Sequence, residues 1–241
     1  MEKILKQRDD FINPELVFRN FDRYLIRKSI FDALNRFLGL FHGSMLDIGC
    51  GAMPYREYIL SNSAVRNYVG LDIESAAVYD EKVRPDYSWD GKRMPFAASS
   101  FDCAIGTEVL EHCPEPEIVL KETWRVLKPG GVFFFTVPFL WNLHEVPHDH
   151  YRYTPFSLER HLKNSGFGKV EIHATGGWHA SMAQMLGLWV KRAPIRDNRK
   201  RALYLIIYPF YRLLLILSNK ENKDFFEGKM ITGLYGIAIK G

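Results

Sequence analysis

The segment Met45-Leu46-Asp47-Ile48-Gly49-Cys50-Gly51 constrains the fold more than any other stretch of the chain. A short apolar run that ends in an acid and then a pair of glycines reads as a buried strand that turns sharply. With no Cβ in the way, a nucleoside-bearing ligand can approach the backbone there. The next apolar run, residues 67–73, ends at Asp72 and Ile73. A carboxylate in that position can accept hydrogen bonds from two ribose hydroxyls. In a dinucleotide site of pattern GxGxxG the third glycine would fall at position 54, which is Pro54. That substitution argues against NAD and FAD, and so against a nicotinamide-dependent oxidoreductase. Asp47 at the mouth of the loop favours a cationic ligand, and a sulfonium carrying an amino group suits that field.

The rest of the chain repeats strand and helix. Further strands are expected at residues 101–106, 132–137, 169–174 and 232–240, with a helix over 116–127 stopped by Lys128-Pro129-Gly130-Gly131. Repetition of this kind implies right-handed βαβ crossovers and a mostly parallel, doubly wound α/β sheet. Apolar residues at helical spacing over 14–41 place one or two amphipathic helices before the first strand. The expected organisation is an N-terminal helical cap (1–43), a core (44–177 and 230–241), and a helical insertion (178–229) too long and too apolar to be a loop.

Composition excludes some classes. Three cysteines, Cys50, Cys103 and Cys113, lack CxxC spacing and suggest neither a disulfide framework nor a zinc knuckle, and the charged N-terminus lacks a signal peptide's apolar run. A cytoplasmic protein is expected. The formal net charge of +4 is mild, and the one concentration of basic residues, late in the chain, is short and carries no recognisable nucleic-acid module, so a nucleic-acid partner is not expected.

The strings MLDIGCGAMPY, YVGLDIE, DGKRMPFAASSFDCAIGTEVLEHCPEPEIVLKETWRVLKPGGVFFFTVP and TGLYGIAIKG resemble the class I S-adenosylmethionine-dependent methyltransferases, in particular the type 11 group. The resemblance implies a Rossmann-like seven-stranded sheet with an antiparallel last strand and S-adenosyl-L-methionine as cofactor. It also implies that Asp47, Gly49 and Gly51 line the methionine portion, that Asp72 with Ile73 holds the ribose, and that Asp90 receives the adenine amino group with Gly91 beside it. Glu108 would lie near the methionine end, with His112 close by.

Chemistry at the acceptor points to Phe139 through Thr154, where His144, His148 and His150 fall within seven residues. Histidine titrates near neutrality and could take a hydroxyl proton, with Asp149 or Glu145 orienting the ring. His144 and His148 are the first choices as base and His150 the third. The same spacing could bind a divalent metal, although none is assigned, or the stretch could be a closing loop pinned by Arg152 and Tyr153.

In the insertion, basic residues between 191 and 201 precede ALYLIIYPFYRLLLIL, which is broken by Pro209 and Arg212 and is shorter than the roughly 20 apolar residues of a spanning helix. A transmembrane segment is not expected. The insertion could be a helical cap on the sheet, a helix lying peripherally on the anionic inner membrane face through 191–217, or an aromatic wall for a flat or sugar substrate. The sequence thus leads to a methyltransferase, with an oxygen of a small molecule, glycan or lipid-linked precursor as acceptor. The alternatives are nitrogen or carbon methylation by proximity alone, and a non-catalytic binding module.

Overall fold

The computed structural model describes residues 10–74, 83–219 and 225–241. Its centre is a seven-stranded sheet of β1 (His42–Ile48), β2 (Ala64–Ile73), β3 (Tyr87–Trp89), β4 (Phe101–Thr107), β5 (Leu127–Pro138), β6 (Phe167–Thr175) and β7 (Gly233–Lys240), in the order β3-β2-β1-β4-β5-β7-β6. Strands β1 to β5 pair in parallel, whereas β7 runs antiparallel to both β5 and β6. The order reverses beside β1, which opens a crevice at the carboxyl edge between β1 and β4, where ligands of such sheets bind.

Helices cover both faces: α1 (Tyr24–Phe37), α2 (Arg56–Asn62), α3 (Pro116–Val126), α4 (Pro155–Asn164), α5 (Trp178–Arg192) and α6 (Asp197–Ser218). Strand pleating explains how one apolar run serves two layers. Phe133 and Phe135 point into the cluster with Leu46, Leu120 and Leu158, while Phe134 between them joins Met45, Ile105, Leu34 and Ile59 on the opposite face. Pro116 opens α3, where its missing N–H costs nothing, and Thr154 caps α4 by accepting from the Ser157 N–H at 3.2 Å.

A third cluster joins segments far apart in sequence. Phe21 and Leu25 from the N-terminal region pack with Ala180, Ala183, Val190, Tyr211 and Leu214 of α5 and α6. At Gly187 the two regions touch so closely that a Cβ would sit 2.5 Å from the Phe21 carbonyl oxygen. Gln184 donates to the Asp22 carbonyl at 3.0 Å, and Arg192 Nε reaches Asp22 Oδ2 at 2.6 Å.

The short edge strand β3 carries no apolar run of its own and gives no sequence signal. Two expectations are corrected. Strand β5 begins at Leu127 and passes through Lys128-Pro129-Gly130-Gly131, with Gly130 at φ 77° absorbing the irregularity that a turn had been expected to make. Helix α6 runs unbroken through Pro209, whose neighbourhood faces outward. It spans 22 residues and, by length and composition alone, is long and apolar enough to cross a membrane. One side of it is nevertheless fixed to the domain through Tyr211 and Leu214, while Leu205, Ile206, Phe210, Leu213 and Ile216 line its exposed side.

Candidate active site

At the carboxyl ends of β1 and β2 lie two recessed carboxylates. Asp47 is 3% exposed and accepts the Tyr68 hydroxyl at 2.6 Å; burial pushes it up to about 7 despite that bond. Asp72 accepts the Gly51 N–H at Oδ2 and its neighbour's N–H, that of Ile73, at Oδ1, both at 2.8 Å. Burial raises its pKa while the two N–H groups oppose the rise. Asp72 therefore tethers the glycine turn to β2. Gly49 sits at φ 64°, and a Cβ there would meet Val109 Cγ2 at 2.6 Å, so this turn admits no side chain.

Beside this cradle, Ile73 is exposed and Gly91 (φ 80°) faces it, close enough that a Cβ would lie 3.3 Å from Ile73 Cδ1. Asp90 is exposed and uses Oδ1 to accept from Lys92 N at 2.9 Å and Arg93 N at 3.2 Å, which holds its pKa below the usual carboxylate range. In this structure Asp90 caps its own turn.

Past β4, Glu108 adopts φ 55° and accepts the Thr136 hydroxyl at 2.8 Å; burial raises its pKa to about 7. A short turn of helix at Leu110–His112 follows. Glu111 in that turn is completely buried, and neither carboxylate oxygen has a hydrogen-bond partner. Burial, and after it the Glu108 charge, drives its pKa well upward. An unmatched buried group of this kind costs on the order of 1–3 kcal/mol.

The histidine loop is fastened over this turn. The backbone N–H groups of His150 and Tyr151 donate to the Glu111 carbonyl at 2.8 and 3.2 Å, and the Tyr153 hydroxyl donates to the Leu110 carbonyl at 2.9 Å. Arg152 grips Asp149 with two bonds of 2.6 and 2.9 Å, and Asp149 Oδ2 in turn lies 3.2 Å from His144 Nδ1. The Arg152 hydrogen bonds hold Asp149 down at about 2, whereas burial and then His112 lower His144. His144 and His112 meet edge to face with ring centroids 4.7 Å apart. His148 and His150 are exposed, and the His148 carbonyl lies 2.9 Å from His112 Nδ1.

The structure brings Asp47, Gly49, Gly51, Asp72 and Ile73 together at the β1–β2 edge, and Glu108, His112 and His144 at the β4–β5 edge. Tyr68, Thr136 and Glu111 escaped sequence reasoning. Glu111 had a readable signal, since it stands three residues after Glu108 and beside His112; the other two are single polar residues inside apolar strands. A cleft of about 740 Å³ opens between α1 and α6, lined by Leu25, Ser29, Tyr208, Arg212 and Ile216 among others. Ser29 also lines a narrow crevice floored by Glu108 and Thr136.

Residues 46–135 match the methyltransferase domain family of type 11. The sterol 24-C-methyltransferase of Aspergillus fumigatus is 40% identical over 100 residues, 37% of this chain and 26% of that protein. The fatty-acid O-methyltransferase of Mycolicibacterium smegmatis is 28% identical over 122 residues, 44% of each chain. The chain thus spans under half the length of these two relatives. In fold it matches a SAM-dependent methyltransferase from Archaeoglobus fulgidus with a TM-score of 0.55 and 16% identity, over 98% of this chain and 99% of that one. The glycine turn and the acids that end β1 and β2 fall within the matched segment, and residues 46–135 carry a methyltransferase domain of the type 11 group.

Proposed function

We propose that the protein transfers a methyl group from S-adenosylmethionine to an oxygen of an apolar or lipid-linked acceptor. The observation that carries the first half is the pair of recessed carboxylates, Asp47 and Asp72, tied to a glycine turn with no room for a Cβ. Negative charge set in a cradle of low dielectric suits a ligand that brings its own positive charge and ribose hydroxyls. Asp47, Gly49 and Gly51 would face the methionine portion, Asp72 the ribose, and Ile73 with Gly91 the adenine, while the Asp90 oxygen left outside its own turn accepts the adenine amino group.

When bound, the cofactor supplies an activated methyl whose bond to sulfur breaks, leaving the electron pair on sulfur, as the bond to the acceptor oxygen forms. The protein's share is to position the reactants, exclude water and accept the acceptor's proton. Among His144, His148 and His150, His144 is favoured as base because it is recessed beside His112 and its ring is oriented by Asp149. Its lowered pKa keeps it neutral and ready to accept a proton at neutral pH.

The acceptor reading rests on the cleft between α1 and α6, which shares Ser29 with the crevice before Glu108, and on the apolar stripe of α6. Exposed Arg196, Arg199 and Arg201 stand at the start of that helix, so it would lie along an anionic membrane surface with its stripe toward the acyl chains. Relatives that act on sterols and fatty acids agree with an apolar acceptor.

Calorimetric titration with S-adenosylhomocysteine and NAD tests the cofactor, with binding of the first alone expected; preference for NAD would overturn it. Methylation assays with hydroxylated lipids should yield product that His144→Ala reduces about 100-fold, in the range of general-base contributions. An unchanged rate would favour transfer by proximity, and binding without any turnover a non-catalytic module.

A further inference from the structure

We propose that Glu111, His112 and His144 form a binding site for a divalent first-row transition cation at the acceptor end of the crevice. One ligand atom from each lies within 4.8 Å of the other two. Coordination at zinc-like bond lengths needs separations of about 3 to 3.5 Å, within reach of small side-chain rotations.

What distinguishes this cluster from an ordinary polar corner is that its members face one another as acceptors. The Glu111 carboxylate is fully buried with both oxygens unpartnered, and Oε1 lies 3.7 Å from His112 Nε2. His112 Nδ1 sits 2.9 Å from the His148 carbonyl, which can only accept, so Nδ1 carries the proton in the neutral ring and Nε2 turns a lone pair toward Glu111. Asp149 does the same for His144. It takes Nδ1, is itself fixed by Arg152, and leaves Nε2 as the nitrogen available to a ligand. A carboxylate or carbonyl behind each imidazole is the arrangement that orients histidine on a metal.

Two imidazoles and one carboxylate make a donor set for zinc or another first-row ion, with a coordination position left for substrate.

The consequence for catalysis rests on the methyl-transfer reading, whereas binding itself does not. An acceptor hydroxyl at the open position would ionise more readily, and His144 would change from base to ligand.

The test uses untagged full-length protein stripped with chelator and titrated with zinc, and separately with cobalt(II), without cofactor or acceptor. One equivalent of zinc should bind, and cobalt should give visible absorption bands of a site with nitrogen ligands. Glu111→Gln and His144→Ala should each weaken zinc binding at least about 100-fold, and Asp149→Asn about 10- to 100-fold. Thermal melts of the stripped variants verify folding. Wild-type protein that binds zinc no better than folded Glu111→Gln or His144→Ala overturns the site. Titration of the same samples with S-adenosylhomocysteine reports on the cofactor reading independently.

Discussion

The two ends of the crevice are built on different principles. At the β1–β2 edge the surface offered to a ligand is largely backbone, held by one turn and one carboxylate that bonds two N–H groups. At the β4–β5 edge it is made of side chains from two separate loops, whose charges depend on one another. The first arrangement tolerates little change, because a backbone cradle has no rotamers with which to adapt. The second can change chemistry with a few substitutions while the sheet beneath it stays the same.

The sharpest way to break this contrast is Gly49→Ala. Left-handed strain of roughly 1–2 kcal/mol and overpacking of about 1–3 kcal/mol against Val109 should lower S-adenosylhomocysteine affinity on the order of 100-fold in calorimetry. A loss of less than about threefold would mean that the turn is not the cradle. Asp72→Asn should cost about 10- to 100-fold in the same titration, since charge-assisted bonds contribute about 1.5–3 kcal/mol. Equal affinity would remove the ribose role.

On the acceptor side, Ile206→Asp on the exposed stripe of α6 should weaken sedimentation with anionic vesicles about 10-fold without moving the melting temperature. An unchanged partition would take the membrane away from this helix.

The smallest expected effect is on stability against pH. Asp47 and Glu108 are both raised to about 7 by burial, so the folded chain binds more protons than the unfolded one between the ordinary carboxylate range near 4 and about 7. The melting temperature of the ligand-free protein should fall as pH rises through that window and go on falling above it, because burial raises Glu111 as well. Affinity for the cationic cofactor should rise over the same range. Asp47→Asn should flatten both curves, and profiles indistinguishable from wild type would contradict the burial argument.

The proposed cofactor end could be picked out in the sequence because its residues are local: Asp47, Gly49 and Gly51 lie within one turn, and Asp72 ends the next apolar strand. The mostly parallel seven-stranded sheet with its antiparallel last strand followed from the resemblance, although β3 gave no pattern of its own. Less could be read at the acceptor end. Three histidines marked the loop, but only folding separates His144, which meets His112 across the crevice, from the exposed His148 and His150. Glu111 becomes unusual only when burial removes its partners. Pro209 looked like a helix stop because propensity counts a lost bond and not the tertiary contacts, at Tyr204 before it and at Tyr211 and Leu214 after it, that hold α6 together on either side.

The contact between Phe21 and α5 has a consequence for how acceptor preference could diversify. Because Gly187 leaves no space above the Phe21 carbonyl and Asp22 holds both Gln184 and Arg192, the insertion and the first turns of the chain form a matched pair. Grafting residues 178–229 alone onto a related scaffold would leave a mismatched seam. Exchange of the insertion requires that both segments travel together, as a lock is moved with its key.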